Sequence, residues 1–378
     1  MSGRALCAYM AGGISSDHES SRLEEGLEKL RRGMWLMMRE GSSTHDLKRL
    51  LPLVLERPDL SSRCMVVSDD VSAQDLLKGN MDEKIRIMAE SGLDPLVALR
   101  MVTLSPAMYF GLKDRGAIGP GLLADMALVE NLESCEIHKV WKNGQLTVDE
   151  GKRDHGGFSK AKGASRLKIP KVPPLSLSQL ALSVPEGSDV NVIGLEKGLL
   201  STRALVMAPS LRDGLAIADA EKDLAKVVVQ NRHRGTRDFA VGFVSGLGLK
   251  KGAIASSVAH DAHNFIAAGM DDLSIVTALS HMGENGGGLV AAEGPEVLDY
   301  FALPVAGLMT TLDAASTAQY LQRIEEKART LGITVDHPFM VLSFLSLSVI
   351  PELKITDKGY VDITKGGVQP LFSFTEFR

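Results

Sequence analysis

The first 110 residues alternate short apolar runs with helical patterns, and this rhythm constrains the fold more than any other feature of the chain. The run "RCMVVSDD" at 63–70 predicts a buried parallel strand that delivers two acids to a site. Helices are predicted at 44–56, 80–91 and 94–110. Such alternation is typical of α/β folds, in which functional residues follow the carboxyl ends of parallel strands.

A further helix is predicted over residues 20–40, "SSRLEEGLEKLRRGMWLMMRE". Ser20 or Ser21 would cap it, and Glu24 and Glu25 suit the positive amino-terminal end of a helix. Its apolar face is predicted from residues that recur at intervals of three or four, namely Leu23, Leu27, Leu30, Met34 and Met37.

The pattern changes from about residue 115 onward. Residues 115–150 predict a β-rich portion, in which Asn143–Gly144 between alternating residues marks a hairpin. Residues 151–175 are rich in Gly, Lys, Ser and Pro and predict a linker or exposed connection. Residues 176–378 are long enough for a core of their own, and apolar runs alternate there with helical patterns.

Composition excludes several classes of partner. The net charge of −5 gives no electrostatic case for binding nucleic acid or an anionic membrane surface. No apolar run reaches the roughly 18 residues of a membrane helix, and the start, "MSGRALCAYM", does not resemble a secretory signal. Three scattered cysteines form no CxxC pair. We therefore expect a cytoplasmic protein with reduced thiols.

The stretch "AGGISSDHES" at 11–20 crowds Asp17, His18 and Glu19 behind small residues. A histidine at a strand end, flanked by acids, is a candidate ligand for a divalent metal, and a neighbouring carboxylate can orient its ring. The alternative is a helix start in which Asp17 or Ser16 caps and His18 is incidental.

Asp69 and Asp70 end the predicted strand segment at 63–70. A carboxylate in this position can bind a metal and take a proton from metal-bound water. The alternative is a helix cap, with Asp70 or Ser72 capping the segment "AQDLL".

The motif "HDAHN" at 260–264 places His260 and His263 three residues apart. On a helix the two rings would share a face, whereas in a strand they would point apart. The preceding "GAIASSVA" resembles a strand, so a polar loop with hydrogen-bonded histidines is the alternative to a shared site. The glycines of "GLGLKKG" lack G-x-G-x-x-G spacing, and "NGGGLV" lacks the Lys-Ser/Thr of a phosphate loop, which argues against nucleotide sites.

Several segments together resemble the adenine deaminase family of the amidohydrolase superfamily. The segment "GLDPLVALRMVTLSPAMYFGLKDRGAIGPGLLADMALVENL" is similar to the common amidohydrolase ending. "AYMAGGISSDHES" and "VVSDD" resemble that family's sixth-strand and eighth-strand segments. The adenine branch is indicated by "GFVSGLGLKKGAIASSVAHDAHN", "GENGGGLV" and "PFMVLSFLSLSVIPELKITDKGYVD".

The resemblance implies hydrolytic deamination of adenine to hypoxanthine and ammonia, a reaction of purine salvage. By this resemblance His18 matches a metal-ligand histidine, and Asp69 matches the acid that binds metal and shuttles the proton. Asp70, His260 and His263 are candidate contacts to the base. The implied cofactor is a divalent metal, with Mn or Fe preferred over Zn, and the implied partner is a small molecule bound by a homo-oligomer.

The family's first-strand His-x-His pair, bridging acid and further His have no counterpart in this sequence. We therefore expect the C-terminal part of a metal-dependent (β/α)8 amidohydrolase barrel at 1–114, a small β-sandwich portion at 115–150 and an α/β C-terminal domain at 176–378. With most of the metal shell missing, impaired activity is expected. The alternative is a non-catalytic module that binds a purine or a partner.

Overall fold

The computed structural model describes residues 1–153 and 171–374. Two compact units divide the chain, Met1–Lys160 and Ala161–Arg378. Most of the predicted linker at 151–175 lies outside the described residues, and the finer boundaries predicted near 114 and 150 stay predictions. No described helix combines the length and apolarity needed to cross a membrane.

The first unit joins a small parallel sheet with its helices to an antiparallel ribbon. In chain order its elements are α1 (Gly3–Ala11), β1 (Ser16–Asp17), α2 (Leu23–Arg31), β2 (Trp35–Arg39), α3 (Asp46–Leu50), α4 (Pro52–Glu56), a 3₁₀ turn (Pro58–Arg63), β3 (Cys64–Val67), α5 (Ala73–Leu76), α6 (Met81–Glu90), α7 (Pro95–Val102), α8 (Leu104–Tyr109), β4 (Met126–Val129), β5 (Ile137–Lys142), β6 (Gln145–Asp149) and β7 (Lys152–Arg153).

Strands β1, β2 and β3 lie side by side in that order, and both pairings are parallel. Leu36 and Met38 of β2 are fully buried and pack with helix residues such as Leu47, Leu50 and Met88. Because the three strands run the same way, their carboxyl ends share one edge of the sheet. The predicted strand at the "CMVV" segment and the predicted α/β alternation are confirmed here. That these strands belong to a larger barrel stays a prediction.

The helix predicted over 20–40 is wrong in its second half. The helix α2 ends at Arg31, Gly33 has a φ of +88°, and β2 follows at once. A left-handed glycine just after a helix is a common stop signal. The predicted caps are also wrong, because α2 begins after Arg22 and has no side-chain cap.

Other local predictions of the first unit are confirmed. The helix predicted at 44–56 forms as α3 and α4, that at 80–91 as α6, and that at 94–110 as α7 and α8. The β-rich portion forms the antiparallel sheet β4–β5–β6–β7. Its β5–β6 hairpin turns through Asn143 and Gly144, whose φ angles of +51° and +77° are those that a two-residue hairpin turn requires.

The second unit is built on one large sheet. In chain order its elements are α9 (Leu177–Leu180), β8 (Ser188–Leu195), β9 (Thr202–Met207), β10 (Ser210–Arg212), β11 (Leu215–Ile217), β12 (Leu224–Gln230), β13 (Phe239–Ser245), β14 (Ala253–Ser256), β15 (Phe265–Gly269), α10 (Asp272–Asn285), β16 (Gly288–Glu293), β17 (Glu296–Ala302), α11 (Ala314–Thr330), α12 (Pro338–Phe344), β18 (Leu353–Thr356), β19 (Gly359–Asp362), β20 (Gly367–Gln369) and β21 (Phe372–Phe374).

The large sheet has the order β17–β16–β14–β15–β12–β13–β8–β21, with β9 paired to β8. All of these pairings are antiparallel except that between β13 and β8. Strand β12 is buried at every position, and apolar clusters lie on both faces of the sheet. Helices and strands therefore both occur, as predicted for an α/β domain, but the pairing is mainly antiparallel. The apolar run that begins at Pro338 forms the helix α12.

Candidate active site at three strand ends

The carboxyl ends of β1, β2 and β3 gather charged side chains at one edge of the parallel sheet. His18 and Glu19 follow β1 directly, and Arg39 is the last residue of β2. One residue separates Asp69 from the end of β3. His18 and Asp69, the two predicted metal ligands, thus flank the central strand. Asp69 lies close enough for its charge to raise the pKa of His18.

Arg39 contacts the acids at the ends of the neighbouring strands. Its Nη1 donates to Glu19 Oε2 at 2.8 Å and to Asp69 Oδ2 at 3.3 Å, while Nε and Nη2 donate to Asp46 Oδ2. Burial opposes the charged form of Arg39, but the carboxylates of Glu19, Asp46 and Asp69 outweigh it and raise the pKa of the guanidinium. One buried cation therefore links the ends of all three strands.

His18 pairs with the acid beside it. Its Nε2 lies 3.1 Å from Glu19 Oε1, and both side chains are about half exposed, 50% and 44%. The hydrogen bond to Glu19 is the largest cause that raises the pKa of His18. Burial would raise the pKa of Glu19, but His18 and Arg39 hold it below its usual value. The imidazole therefore carries its charge more readily than a free histidine.

Asp17 fixes the turn that presents His18. Its Oδ2 accepts hydrogen bonds from the backbone N–H and the hydroxyl of Ser20, at 3.0 and 2.7 Å, and lies 2.9 Å from the Nζ of buried Lys29. Burial opposes ionisation of Asp17, yet these contacts lower its pKa. The alternative that Asp17 or Ser16 caps a helix is not observed, because α2 begins only at Leu23.

Asp69 and Asp70 have different surroundings. The Asp69 side chain is 29% exposed, and its backbone φ of +54° lies in the left-handed region, which acids tolerate better than most residues. The backbone carbonyl of Asp70 accepts from the N–H of Ser42. The alternative of a helix cap is correct for Ser72, whose hydroxyl accepts from the N–H of Asp75 at the start of α5.

The donor chemistry of His18 and Asp69 suits a divalent cation, but the described residues do not complete a ligand set. Among residues 1–153 and 171–374, no three His, Cys, Asp or Glu side chains are placed to hold one metal ion. In this structure Glu19 contacts the Nε2 of His18, and Arg39 contacts Asp69. The site is therefore a partial one.

The "HDAHN" segment of the second unit is a loop between β14 and β15. His260 Nδ1 lies 2.6 Å from the hydroxyl of Ser343, and its ring stacks on Phe344 with centroids 4.8 Å apart. The rings of His260 and His263 are 6.1 Å apart between centroids. The two histidines are thus neighbours without forming a metal site among the described residues. That either contacts a substrate stays a prediction.

One residue of this cluster escaped the sequence analysis, namely Arg39, whereas the contact between Glu19 and His18 agrees with the predicted carboxylate that orients the ring. The signal for Arg39 is the period-two burial of Met34, Leu36 and Met38, which marks a strand that ends in a charge. That signal was hidden because residues 20–40 also satisfy a helical spacing.

Family models match both units. Residues 2–147 match the amidohydrolase family, and residues 200–366 match the adenine deaminase C-terminal domain. The first unit therefore carries an amidohydrolase sequence.

Relatives match the chain over nearly its whole length. It is 41% identical to an adenine deaminase of Oleidesulfovibrio alaskensis over 374 residues, which is 98% of this chain. It is 40% identical to adenine deaminase 2 of Carboxydothermus hydrogenoformans over 376 residues. The resemblance to the adenine deaminase family of the amidohydrolase superfamily is therefore confirmed.

The chain spans 64% and 65% of the lengths of these two relatives. Among solved structures, a β-aspartyl dipeptidase from Fervidobacterium islandicum AW-1 is 23% identical over 42% of this chain and 48% of that chain, with a TM-score of 0.34. A score this low does not establish a common overall fold.

Proposed function

We propose that this chain supplies one side of an adenine deaminase active site, which hydrolyses adenine to hypoxanthine and ammonia. The observation that carries the proposal is the gathering of His18 and Asp69 at one edge of the parallel sheet, in a chain 41% identical to an adenine deaminase. Residues outside the described set would complete the site.

Asp69 is the proposed acid–base group. Its carboxylate is partly exposed and is held by Arg39 at 3.3 Å, so it can accept a proton from the attacking water and pass it to the departing amine. His18 and Asp69 are the residues that would hold the divalent metal implied by the amidohydrolase family. That metal would supply activation of the water, and Mn or Fe is proposed in preference to Zn.

Asp70 is proposed to contact the base, because it follows Asp69 on the same loop. His260 and His263 are proposed as further contacts. Replacing both histidines with alanine should raise KM or lower kcat for adenine, and unchanged kinetics would reject their part of the proposal.

The test is ammonia release from adenine, adenosine and guanine by the purified chain supplied with Mn²⁺ or Fe²⁺, with metal content measured per chain. Ammonia release from adenine, without release from adenosine or guanine, supports the proposed substrate. Asp69→Asn should lower kcat by about 10²–10⁴-fold. Asp59→Asn, the same change at an exposed acid paired with Arg57, is the matched control and should leave kcat unchanged.

Because the described ligand set is partial, weak or no turnover by the chain alone is expected, and the absence of any bound metal is the outcome that would contradict the proposal. Purine binding measured without turnover would then favour a non-catalytic module. Localisation in the cytoplasm and assembly as a homo-oligomer are proposed with this function, and size-exclusion chromatography with light scattering tests the assembly.

A further inference from the structure

In the second unit one buried guanidinium has no counter-charge among the described residues. Arg232, just beyond β12, is 4% exposed. Its Nε donates to the carbonyl of His263, and its Nη1 donates to the carbonyl of Ala306 at 2.7 Å. No carboxylate of the described residues forms an ion pair with it, and burial alone lowers its pKa. Buried charges in proteins are normally paired, so this arrangement calls for an anion.

The imidazole of His263 lies close enough to this guanidinium for the Arg232 charge to act on it. His233 Nε2 donates to the carbonyl of Ala262 at 2.6 Å, which ties the Arg232 loop to the His260–His263 loop. Burial is the largest cause that lowers the pKa of His263, and the charges of His260 and Arg232 lower it further. Exposed Asp261 acts in the opposite sense but does not outweigh them. The local field is therefore positive.

Two polar groups beside Arg232 lack hydrogen-bond partners in the part of the chain that the structure describes. His263 Nδ1 and Asn264 Oδ1 are enclosed and make no hydrogen bond, although Asn264 is only 3% exposed. Among the described residues, the hydrogen bonds of Arg232 involve Nε and Nη1, and none involves Nη2. Enclosed polar groups are nearly always paired in proteins, so unpaired ones in adjacent residues indicate a missing ligand.

We propose that Arg232, His263 and Asn264 form a binding site for a small oxyanion, either a carboxylate or a phosphate. The guanidinium supplies charged donors, and the neutral imidazole and a turned Asn264 amide add uncharged ones. Asp261 and Ala262 of the His260–His263 loop are exposed, so the site lies close to the surface. This site lies wholly in the second unit and shares His263 with the proposed adenine contacts, but oxyanion binding there does not depend on the proposed deaminase activity.

The test is thermal unfolding of the whole chain in sodium phosphate, sodium formate or sodium chloride at one ionic strength, with adenine as a further arm. Phosphate or formate should raise Tm above its value in chloride. A larger rise in phosphate identifies a tetrahedral ligand, and a larger rise in formate identifies a planar one. Arg232→Gln should weaken the apparent affinity at least about tenfold, the loss expected for one charge-assisted hydrogen bond.

Two further variants make every outcome decisive. His263→Ala removes a side chain that makes no internal hydrogen bond, so it should fold and still lose the oxyanion response. Arg234→Gln removes the same charge from an exposed position two residues away and should keep the response. Equal Tm in all salts, a response unchanged in His263→Ala, or stabilisation by adenine alone would overturn the proposal.

Discussion

Arg39 and Asp46 form a buried ion pair behind the strand-end cluster. Nε and Nη2 of Arg39 lie 3.0 and 2.8 Å from Oδ2 of Asp46, and the two side chains are 5% and 3% exposed. Because Asp46 takes two of the three guanidinium nitrogens, Nη1 is turned towards Glu19 and Asp69. The pair thus sets the direction in which Arg39 acts at the site.

Replacing Arg39 with methionine should destabilise the first unit by about 3–5 kcal/mol, because it leaves the Asp46 carboxylate buried without its main partner. Burial already raises the pKa of Asp46 against the opposing effect of Arg39, so the variant should raise it further. Urea unfolding followed by tryptophan fluorescence measures the loss, since Trp35 and Trp141 are the chain's two tryptophans and both lie in the first unit.

The matched control is Arg49→Met. Arg49 also contacts Asp46, at 3.3 Å, but its side chain is 38% exposed, so its removal should cost only about 0–1 kcal/mol. An equal loss in the Arg39 and Arg49 variants would show that burial of Arg39 does not strengthen its pairing.

His45 and Glu40 should give the first unit a pH-dependent contact. Nδ1 of His45 lies 2.8 Å from Oε1 of Glu40, and this hydrogen bond is the largest cause that raises the pKa of His45. A histidine whose pKa is higher in the folded chain than in the unfolded chain stabilises the fold. This stabilisation is fully present below the unfolded pKa of about 6.5 and is lost as pH rises through the folded pKa. The imidazole is 52% exposed, so the effect should stay below about 1 kcal/mol.

The check is an NMR titration of the His45 ring in the parent chain and in Glu40→Gln, which should return the pKa towards its ordinary value. His138, whose ring contacts Glu130 and Glu150, serves as an internal reference that the variant should not change. A His45 titration identical in both chains would exclude the contact as the cause.

The strand at 64–67 and the placement of His18 and Asp69 at one edge were predictable, because parallel strands deliver their carboxyl ends to the same side. The contacts of Arg39 with the acids of this cluster were not predictable. Met34 and Met37 satisfy a helical spacing, while Met34, Leu36 and Met38 satisfy a strand spacing, and only Gly33 separates the two interpretations. Sequence periodicity cannot rank them, whereas packing against α3 and α4 does.

The antiparallel sheet of the second unit was beyond the reach of local patterns. Strand β12 is buried on both faces, so it shows none of the alternation that distinguishes half-buried antiparallel strands. Its partners β13 and β15 are chosen by contacts distant in sequence. For the same reason nothing in the sequence predicts that Arg232 and the His260–His263 loop would meet.

Tyr360 should stabilise the second unit through its hydroxyl. This buried hydroxyl donates to the carbonyl of Phe243 at 3.0 Å and accepts from the N–H of the same residue. It thus pairs both backbone groups of one residue in β13. Tyr360→Phe should cost about 1–3 kcal/mol, because both groups are left enclosed and unpaired.

Calorimetric unfolding measures this change. The control Tyr320→Phe removes a hydroxyl from a tyrosine that is 38% exposed, and it should change stability by less than about 0.5 kcal/mol. If the two variants unfold alike, water or a shifted strand replaces the lost contacts.

Lys354 should make the second unit less stable at low pH. Its amine is buried in β18, donates to the carbonyl of Leu200 at 2.6 Å, and burial lowers its pKa from 10.5 to about 7. Between about pH 7 and 10.4 the unfolded chain binds the proton more readily, so the free energy of unfolding rises with pH. Below about pH 7 the buried charge exerts its full cost.

Lys354→Met should therefore stabilise the chain more at pH 6 than at pH 9, by about 1–3 kcal/mol. The hydrogen bond lost at Leu200 lowers the stability of the variant at both pH values and cancels in this difference. Calorimetry at several pH values measures it. Lys197→Met, the same change at an exposed position near Leu200, should leave the pH profile unaltered. Parallel profiles for the parent chain and Lys354→Met would mean that the amine keeps its ordinary pKa, which requires water to reach it inside β18.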